Sequence, residues 1–469
     1  MARTMTRDLT EGNPLKLVVS FAAPLLFGML FQQFYSFVDT AIVGRYLGTA
    51  KLAAVGATGS VNFLVIGLCL GFCSGFSIPI AQAFGARDEH EVRRSVWHSV
   101  VLCAVLSVLF GLTSTLLCKP LLRLMNTPEE ILDSSASYIR IIFAAIPCCV
   151  LYNMAGGILR SLGDSKTPVL FLVLASLVNI ALDLFLIIVC GMDVAGAAVA
   201  TAVSQLIAGI GCVVVMIKRF PILKLSKEDR RFSMRRSRSM LGVGLPMGLQ
   251  FSITAIGSVM VQWSVNSLGV DAVAAVSAAS KLSMFLACVF DALASTMATF
   301  AGQNIGAKKL DRVGQGLRAA SVVGMVYCLI ALGVVMLFGD RMLELFIDGN
   351  AGAAVIEMGF RYLKINAAFY IPLLFVNILR LCIQGMGFTR VAMFAGLSEM
   401  LARTAVALWV VPSAGFNGAC FANPAAWVMA DLFLFPCYFR LMKALQGRMM
   451  PGIDGKDGNK NILHLRKAA

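Results

Sequence analysis

Three stretches, Leu17–Val38, Val194–Ile217 and Ser239–Val270, each run past 20 residues without a charged side chain. About 20 apolar residues make a helix long enough to cross the hydrocarbon core of a bilayer. In that medium every backbone N–H and C=O has to be satisfied within the segment, which a helix does. Composition excludes the alternative of an unusually large soluble core. Of the 469 residues, 58% are hydrophobic and 14% charged, against roughly 45–50% and 25% in soluble domains. The expected fold class is therefore an all-α integral membrane protein. A formal net charge of +15 would suit nucleic acid in a soluble protein. Here the basic residues belong beside anionic headgroups, so the implied partner is the lipid bilayer and no nucleic acid is expected.

Cut at Gly, Pro and Asn, the sequence predicts twelve transmembrane helices: 15–42, 55–83, 95–117, 135–158, 167–190, 194–217, 238–266, 272–300, 314–338, 356–383, 390–411 and 418–441. The N-terminus, the even-numbered connections and the C-terminal tail hold 28 Lys and Arg, and the opposite side five, Arg45, Lys51, Lys119, Arg123 and Arg341. The positive-inside rule then places both termini in the cytoplasm of a multi-pass protein of the cell (inner) membrane. Met1–Pro14 is basic and polar, and the run after it is too long for a signal-peptide core, so no secretory signal is expected. Thirteen cysteines lie scattered through apolar stretches, and the three histidines (His90, His98, His464) stand apart from Cys69 and Cys73. Neither a disulfide framework nor a transition-metal site is expected, and the cysteines read as small packing residues.

The chain repeats itself. Leu52–Ala57 matches Val273–Ala278 and Gln82-Ala-Phe-Gly-Ala-Arg87 matches Gln303-Asn-Ile-Gly-Ala-Lys308, both 221 residues apart. Tyr138–Ile141 pairs with Tyr362–Ile365 and Gly163–Lys166 with Gly387–Arg390, both 224 apart. The predicted organisation is an N-lobe of six helices over 1–217, a basic cytoplasmic linker over 218–238, a C-lobe of six helices over 239–441 and a cytoplasmic tail over 442–469. Spans 1 and 7 run in the same direction, so the repeats are parallel, with a binding cavity expected near the midplane.

Ionisable groups inside a bilayer are expensive and mark functional sites by default. Five acids fall inside the spans: Asp39, Asp183, Asp291, Glu399 and Asp431. At 1.5 Å per residue, Asp39 lies about 9 Å below the outer end of its helix, and Asp183 and Thr201 about 10 Å below theirs. Asn179, four residues before Asp183, shares its helix face. Two carboxylates, an amide and a hydroxyl at one depth, with no deep Lys or Arg in this half, must bind protons or take up a cation. Asp39, Asn179, Asp183 and Thr201 are thus the expected ion- or proton-coupling site, with oxygen ligands that suit Na⁺ as well as H⁺. The second half differs, because Arg403 occupies the repeat position of Asn179 and Glu399 precedes it by four. That pair can neutralise itself, and with Asp431 it forms an expected C-lobe polar network of structural character. Asp291 lines a vestibule or meets Lys281 or Arg380. Pro24 removes a backbone hydrogen bond within span 1 and is the expected hinge.

In these residues the chain resembles the multidrug and toxic compound extrusion (MATE) antiporters, from about Pro14 to Arg440. Span 1 carries Pro24, Gln32, Tyr35, Asp39-Thr40 and Gly44, span 5 carries Asn179 and Asp183, and span 6 Thr201. Gln82–Gly85 and Gln303–Gly306 are similar to the family's paired loop motifs. The resemblance implies a V-shaped pair of six-helix lobes, alternating access, and export of cationic or amphiphilic small molecules against inward H⁺ or Na⁺, with no other cofactor. It also implies that Gln32, Tyr35 and Asn153 line a substrate pocket in the N-lobe, and a monomer is expected. One departure concerns members of another branch, which carry acids on helices 7 and 10. Here those helices have Gln250, Gln262, Asn377 and Arg380, which moves the expected ion site to the N-lobe.

Two other readings compete. A flippase for lipid-linked sugars or polyprenyl diphosphates of the same superfamily needs a cavity rich in Arg and Lys for its polyanionic substrate. An intramembrane prenyltransferase needs a second acidic motif to hold Mg²⁺, and Asn179-x-x-x-Asp183 has no such companion. No nucleophile–base pair or phosphate-binding loop is legible, so no enzyme is expected.

Overall fold

The computed structural model describes residues 8–125, 127–344 and 353–449. The predicted tail beyond Met449, with His464, and the basic residues Arg3 and Arg7 lie outside them. Unbroken apolar sequence gives helices α1 (Pro14–Leu47), α2 (Thr49–Ala57), α3 (Gly59–Gly85) and α4 (Glu89–Leu124). After these come α5 (Glu129–Ala144), α6 (Ile146–Ser161), α7 (Lys166–Leu184) and α8 (Asp193–Arg219). The second half repeats the order with α9 (Met234–Asn266), α10 (Val270–Gly306), α11 (Leu310–Glu344), α12 (Ala353–Ala368), α13 (Tyr370–Gly385), α14 (Thr389–Ala405), α15 (Val411–Cys420) and α16 (Ala422–Met449). Among the described residues ten helices are long and apolar enough to cross a bilayer, and two bent pairs bring the number to twelve when each pair counts as one span. The helices outrun the predicted spans, α4 covering Glu89–Leu124 where 95–117 was expected. Its charged ends keep their helical hydrogen bonds beyond the hydrocarbon, and Asp88 caps its start by accepting Glu91 N at 2.9 Å.

The repeat is written into the backbone. Predicted spans 135–158 and 356–383 are each broken, at Ala145 and at Phe369, with bends of 45° and 53° between their halves. Pro147 and Pro372 follow these breaks and have no N–H to continue the helical ladder. A single π-helical turn follows α7 at Phe185–Val189 and another follows α14 at Val406–Val410. Positive φ recurs at Gly48 and Gly269, at Arg87 and Lys308, and at Gly163 and Gly387, every pair at the repeat spacing.

The chain forms two compact units. Unit 1 takes Ala23–Ser252, and unit 2 takes Leu9–Ala22 with the chain from Ile253 on. The units change over within α1 and α9, not in the linker 218–238 where the sequence places the boundary. In α1 the changeover comes one residue before Pro24. The start of α1 is tied into unit 2 by the Gln303 motif: Leu9 N donates to Gln303 Oε1 at 2.9 Å and Asn304 Nδ2 to Leu9 O at 3.2 Å. Lys309 Nζ donates to Thr10 O at 3.0 Å, and Arg312 Nη2 to Gly12 O at 2.9 Å. The start of α9 is tied into unit 1 by glycine. A Cβ on Gly71 would lie 2.5 Å from Gly248 Cα, and one on Gly75 2.5 Å from Gly244 Cα. Two facing Gly-x-x-x-Gly pairs thus let α3 and α9 meet backbone to backbone, as helices in lipid do when small residues face each other.

Around these contacts unit 1 buries Phe72, Phe76, Ile139 and Phe143. Unit 2 buries Phe290 and Tyr370, whose rings meet edge to face at 5.5 Å.

Candidate functional site

Asp39 stands on the unit 1 part of α1, and α7 and α8 pack on each other beside it. The Asp39 and Asp183 carboxyls face one another closely enough to share a hydrogen bond when one of them carries a proton. Asp183 is fully buried and Asn179 nearly so, at 0% and 1% exposure. One helical turn before Asp183, the Asn179 amide, in the orientation that satisfies both its ends, donates to Asp183 Oδ2 at 3.3 Å and accepts Thr201 N at 3.1 Å. All four predicted coupling residues are therefore in one cluster, with one change of role. Thr201 enters through its backbone N–H where the sequence suggested its hydroxyl, because Asn179 reaches across to the α8 main chain. Asp39 Oδ1 and Asp183 Oδ1 are buried without a hydrogen-bond partner in the protein. Among the described residues neither carboxyl has a Lys, Arg or His within ion-pair distance.

Of the three predicted pocket residues, Tyr35 lies within electrostatic reach of Asp39, Asp183 and Cys149. Asn153 turns back on its own helix, donating to Cys149 O at 2.8 Å and touching Cys149 Sγ at 3.4 Å. Gln32, three residues before Tyr35, is exposed. Tyr138, absent from the sequence-derived site, stands near Asp39, Tyr35 and Asp183. Its signal was the Tyr138/Tyr362 match between repeats, which marked a shared position without indicating what it faced.

Two carboxyls in contact, away from water, cannot both ionise cheaply. Their protons leave in two steps that belong to the pair, or a monovalent cation settles between them. Among the described residues no group of three or more His, Cys, Asp or Glu is placed to hold a metal ion. The chemistry on offer is that of H⁺ or a cation held by few oxygens.

Unit 2 fills the equivalent place differently. Glu399 accepts Arg380 Nη1 at 2.7 Å through one oxygen and faces Arg403 Nη2 at 3.7 Å through the other. The predicted Glu399–Arg403 pair is thus the weaker half of a triad, since α13 brings Arg380 closer than the helical neighbour can come. Arg380 also donates to Asn377 Oδ1 at 3.2 Å, Arg403 to Asn423 Oδ1 at 3.3 Å, and Asn423 to Tyr362 Oη at 3.0 Å. Asp431 lies within reach of Glu399 and Arg380, and Asp291 of Arg380, the second of the two partners suggested for Asp291. Of the amides that replace acids on the other branch's helices, Gln262 donates to Asn266 Oδ1 at 2.8 Å.

The MatE family model matches residues 24–185 and 246–409, more than half the chain and both halves of the repeat. The chain is 31% identical to the probable multidrug resistance protein YpnP of Bacillus subtilis (strain 168), over 79% of this chain and 82% of that protein. It is 30% identical to the probable multidrug resistance protein YoeA of the same organism, over 70% and 72%. The crystal structure of MATE in complex with MaL6 superimposes with a TM-score of 0.88 at 24% identity, covering 95% of this chain and 100% of that one; the fold is the same. The chain belongs to the multidrug and toxic compound extrusion family, whose members are membrane transporters and not enzymes.

Proposed function

We propose that the protein exports cationic or amphiphilic small molecules from the cytoplasm in exchange for inward H⁺ or Na⁺, by alternating access, with the Asp39–Asp183 pair as the exchange site. The observation that carries this reading is the contact of two carboxyls with no basic partner among the described residues, each with a buried oxygen that no other group of the protein bonds. Such a pair is satisfied by a proton, a cation or a cationic substrate, and only one of them can neutralise it at a time. The names of the two Bacillus relatives, both probable multidrug resistance proteins, agree with a drug-like substrate class. Tyr35, Gln32 and Asn153 line the substrate side in this proposal, and Pro24 gives α1 a place to bend. Insertion in the inner membrane with both termini cytoplasmic fits the distribution of basic loops, and the protein acts as a monomer in this proposal. Flipping of a polyanionic lipid finds no support at this site, because the unit 1 cluster is acidic.

The test is efflux of a fluorescent cationic dye from proteoliposomes with ΔpH and ΔNa⁺ imposed separately, for wild type and Asp39→Asn. Uphill export under one gradient, lost in the variant, supports the proposal. Export that ignores both gradients, or an equally active variant, overturns it.

A further inference from the structure

The connection between α8 and α9 is folded onto unit 1 around a buried carboxylate. Asp229 is fully buried, and its Oδ2 accepts Arg93 Nε at 2.9 Å, Ser226 N at 2.9 Å and Ser226 Oγ at 2.8 Å. Its Oδ1 faces His90 Nε2 at 3.4 Å. Burial works against the charged form, but the Ser226 N–H and hydroxyl and the Arg93 guanidinium outweigh it and hold this carboxyl below its ordinary value. His98, 1% exposed, is the second fixing point. Its Nε2 accepts Ser233 N at 3.0 Å, so Nδ1 carries the proton and donates to Arg94 O at 2.8 Å. The imidazole stacks on Phe232 with centroids 5.8 Å apart. Arg236 pairs with Glu91.

These contacts occupy the connection's buried acid and one of its bases and turn the other charges outward. Lys224, Lys227, Arg230, Arg231, Arg235 and Arg238 are exposed, with Glu228 the single exposed acid among 218–238. Phe232 and Met234 stand among them, 55% and 72% exposed. Both ends of this surface are held at the bilayer, because α8 ends at Arg219 and α9 begins at Met234, and both helices are long and apolar enough to cross it.

We propose that the connection 220–233 and the first turns of α9 form a binding face for anionic phospholipid headgroups. Lys and Arg donate to phosphodiester oxygens, and a cluster of basic residues beside a membrane helix is drawn to an anionic leaflet. Phe232 and Met234 meet the boundary between headgroups and acyl chains, a place where exposed apolar side chains gain by leaving water. A soluble polyanion would offer those two residues nothing. The Asp229 and His98 contacts make the face a built surface, since they fix which side of the connection the bases present.

The experiment titrates phosphatidylglycerol into phosphatidylcholine micelles holding the purified full chain. It follows thermal unfolding and hydrogen exchange over 220–238. Phosphatidylglycerol should slow exchange there and raise the melting temperature, and high salt should reverse both. The variant K224Q/K227Q/R230Q/R231Q leaves the Asp229 and His98 contacts intact, so it should melt like wild type in phosphatidylcholine. Its titration midpoint should weaken by about fivefold for each base removed. D229N should lose the response because the face itself loosens. An unchanged midpoint in the quadruple variant overturns the proposal, as does inorganic phosphate reproducing the effect in phosphatidylcholine alone. Should the quadruple variant melt early, the salt titration of wild type decides: a lipid response that survives high salt overturns it equally.

Discussion

The same repeat position carries opposite chemistry in the two units. Asn179 of unit 1 corresponds to Arg403 of unit 2, Tyr138 to Tyr362, and Ala175 to Glu399. In unit 1 two carboxyls meet with an amide beside them and, among the described residues, no base. In unit 2 one carboxylate is held between two guanidinium groups. The unit 2 cluster balances most of its charge internally, whereas the unit 1 cluster holds no base of its own among the described residues. Duplication of one scaffold has produced one half with an unpaired acidic cluster, the exchange site of the proposed function, and another whose buried carboxylate is held by two bases.

The largest test of that contrast is Asp39→Asn. It should abolish uphill dye export while purification and melting stay normal, because it removes one charge of a repelling pair. Wild-type export from this variant would erase the distinction between the units. Next comes Glu399→Gln, which leaves Arg380 and Arg403 buried without their shared carboxylate. A loss of about 3–5 kcal/mol in unfolding free energy is expected, as when one partner is removed from a buried ion pair. Replacing Glu399, Arg380 and Arg403 together with apolar residues should cost less. If Glu399→Gln instead melts like wild type yet transports nothing, unit 2 shares the ion-exchange role.

A finer test uses pH. Asp183→Asn should move the midpoint of dye efflux against pH, since the two carboxyls titrate as a pair. A destabilised but folded Glu399→Gln should leave that midpoint in place, and the opposite result would relocate the titrating site to unit 2. The smallest effect is expected outside the membrane, at Asp229, a carboxylate that like Glu399 is neutralised locally. Its folded-state pKa is held down, so its contribution is present above the ordinary carboxylate value and is lost as pH falls through the folded-state value. Asp229→Asn should lower stability at neutral pH by about 1–2 kcal/mol. The gap in melting temperature from wild type should close in acid.

Most of the architecture was legible because a bilayer permits so few structures: length, apolarity and loop charge leave helices, their number and a repeat. The breaks at Ala145 and Phe369 were not, since hydropathy is blind to a bend that keeps both halves apolar. The acidic cluster could be read by counting depth along three helices, which brought Asp39, Asn179, Asp183 and Thr201 to one level. Depth alone could not find Tyr138, which required knowing that α5 faces the cluster. It also could not rank Arg380 above Arg403 as the partner of Glu399. Spacing along one helix sees i and i+4, but the 2.7 Å contact comes from a neighbouring helix.

Arg87 and Lys308 are the two non-glycine residues with positive φ among the described residues, both at 58°. Each follows Gly-Ala at the end of a long helix, where glycine would sit without penalty and any other residue strains by about 1–2 kcal/mol. Both halves of the chain nevertheless place a cation there. Under the proposed orientation, those cations lie in the short turns that must stay behind as the newly made helices enter the membrane. A glycine in their place should give a finished protein that is no less stable, from a synthesis that more often threads the hairpin the wrong way. Under that orientation the strained turn would serve insertion first and the fold afterwards.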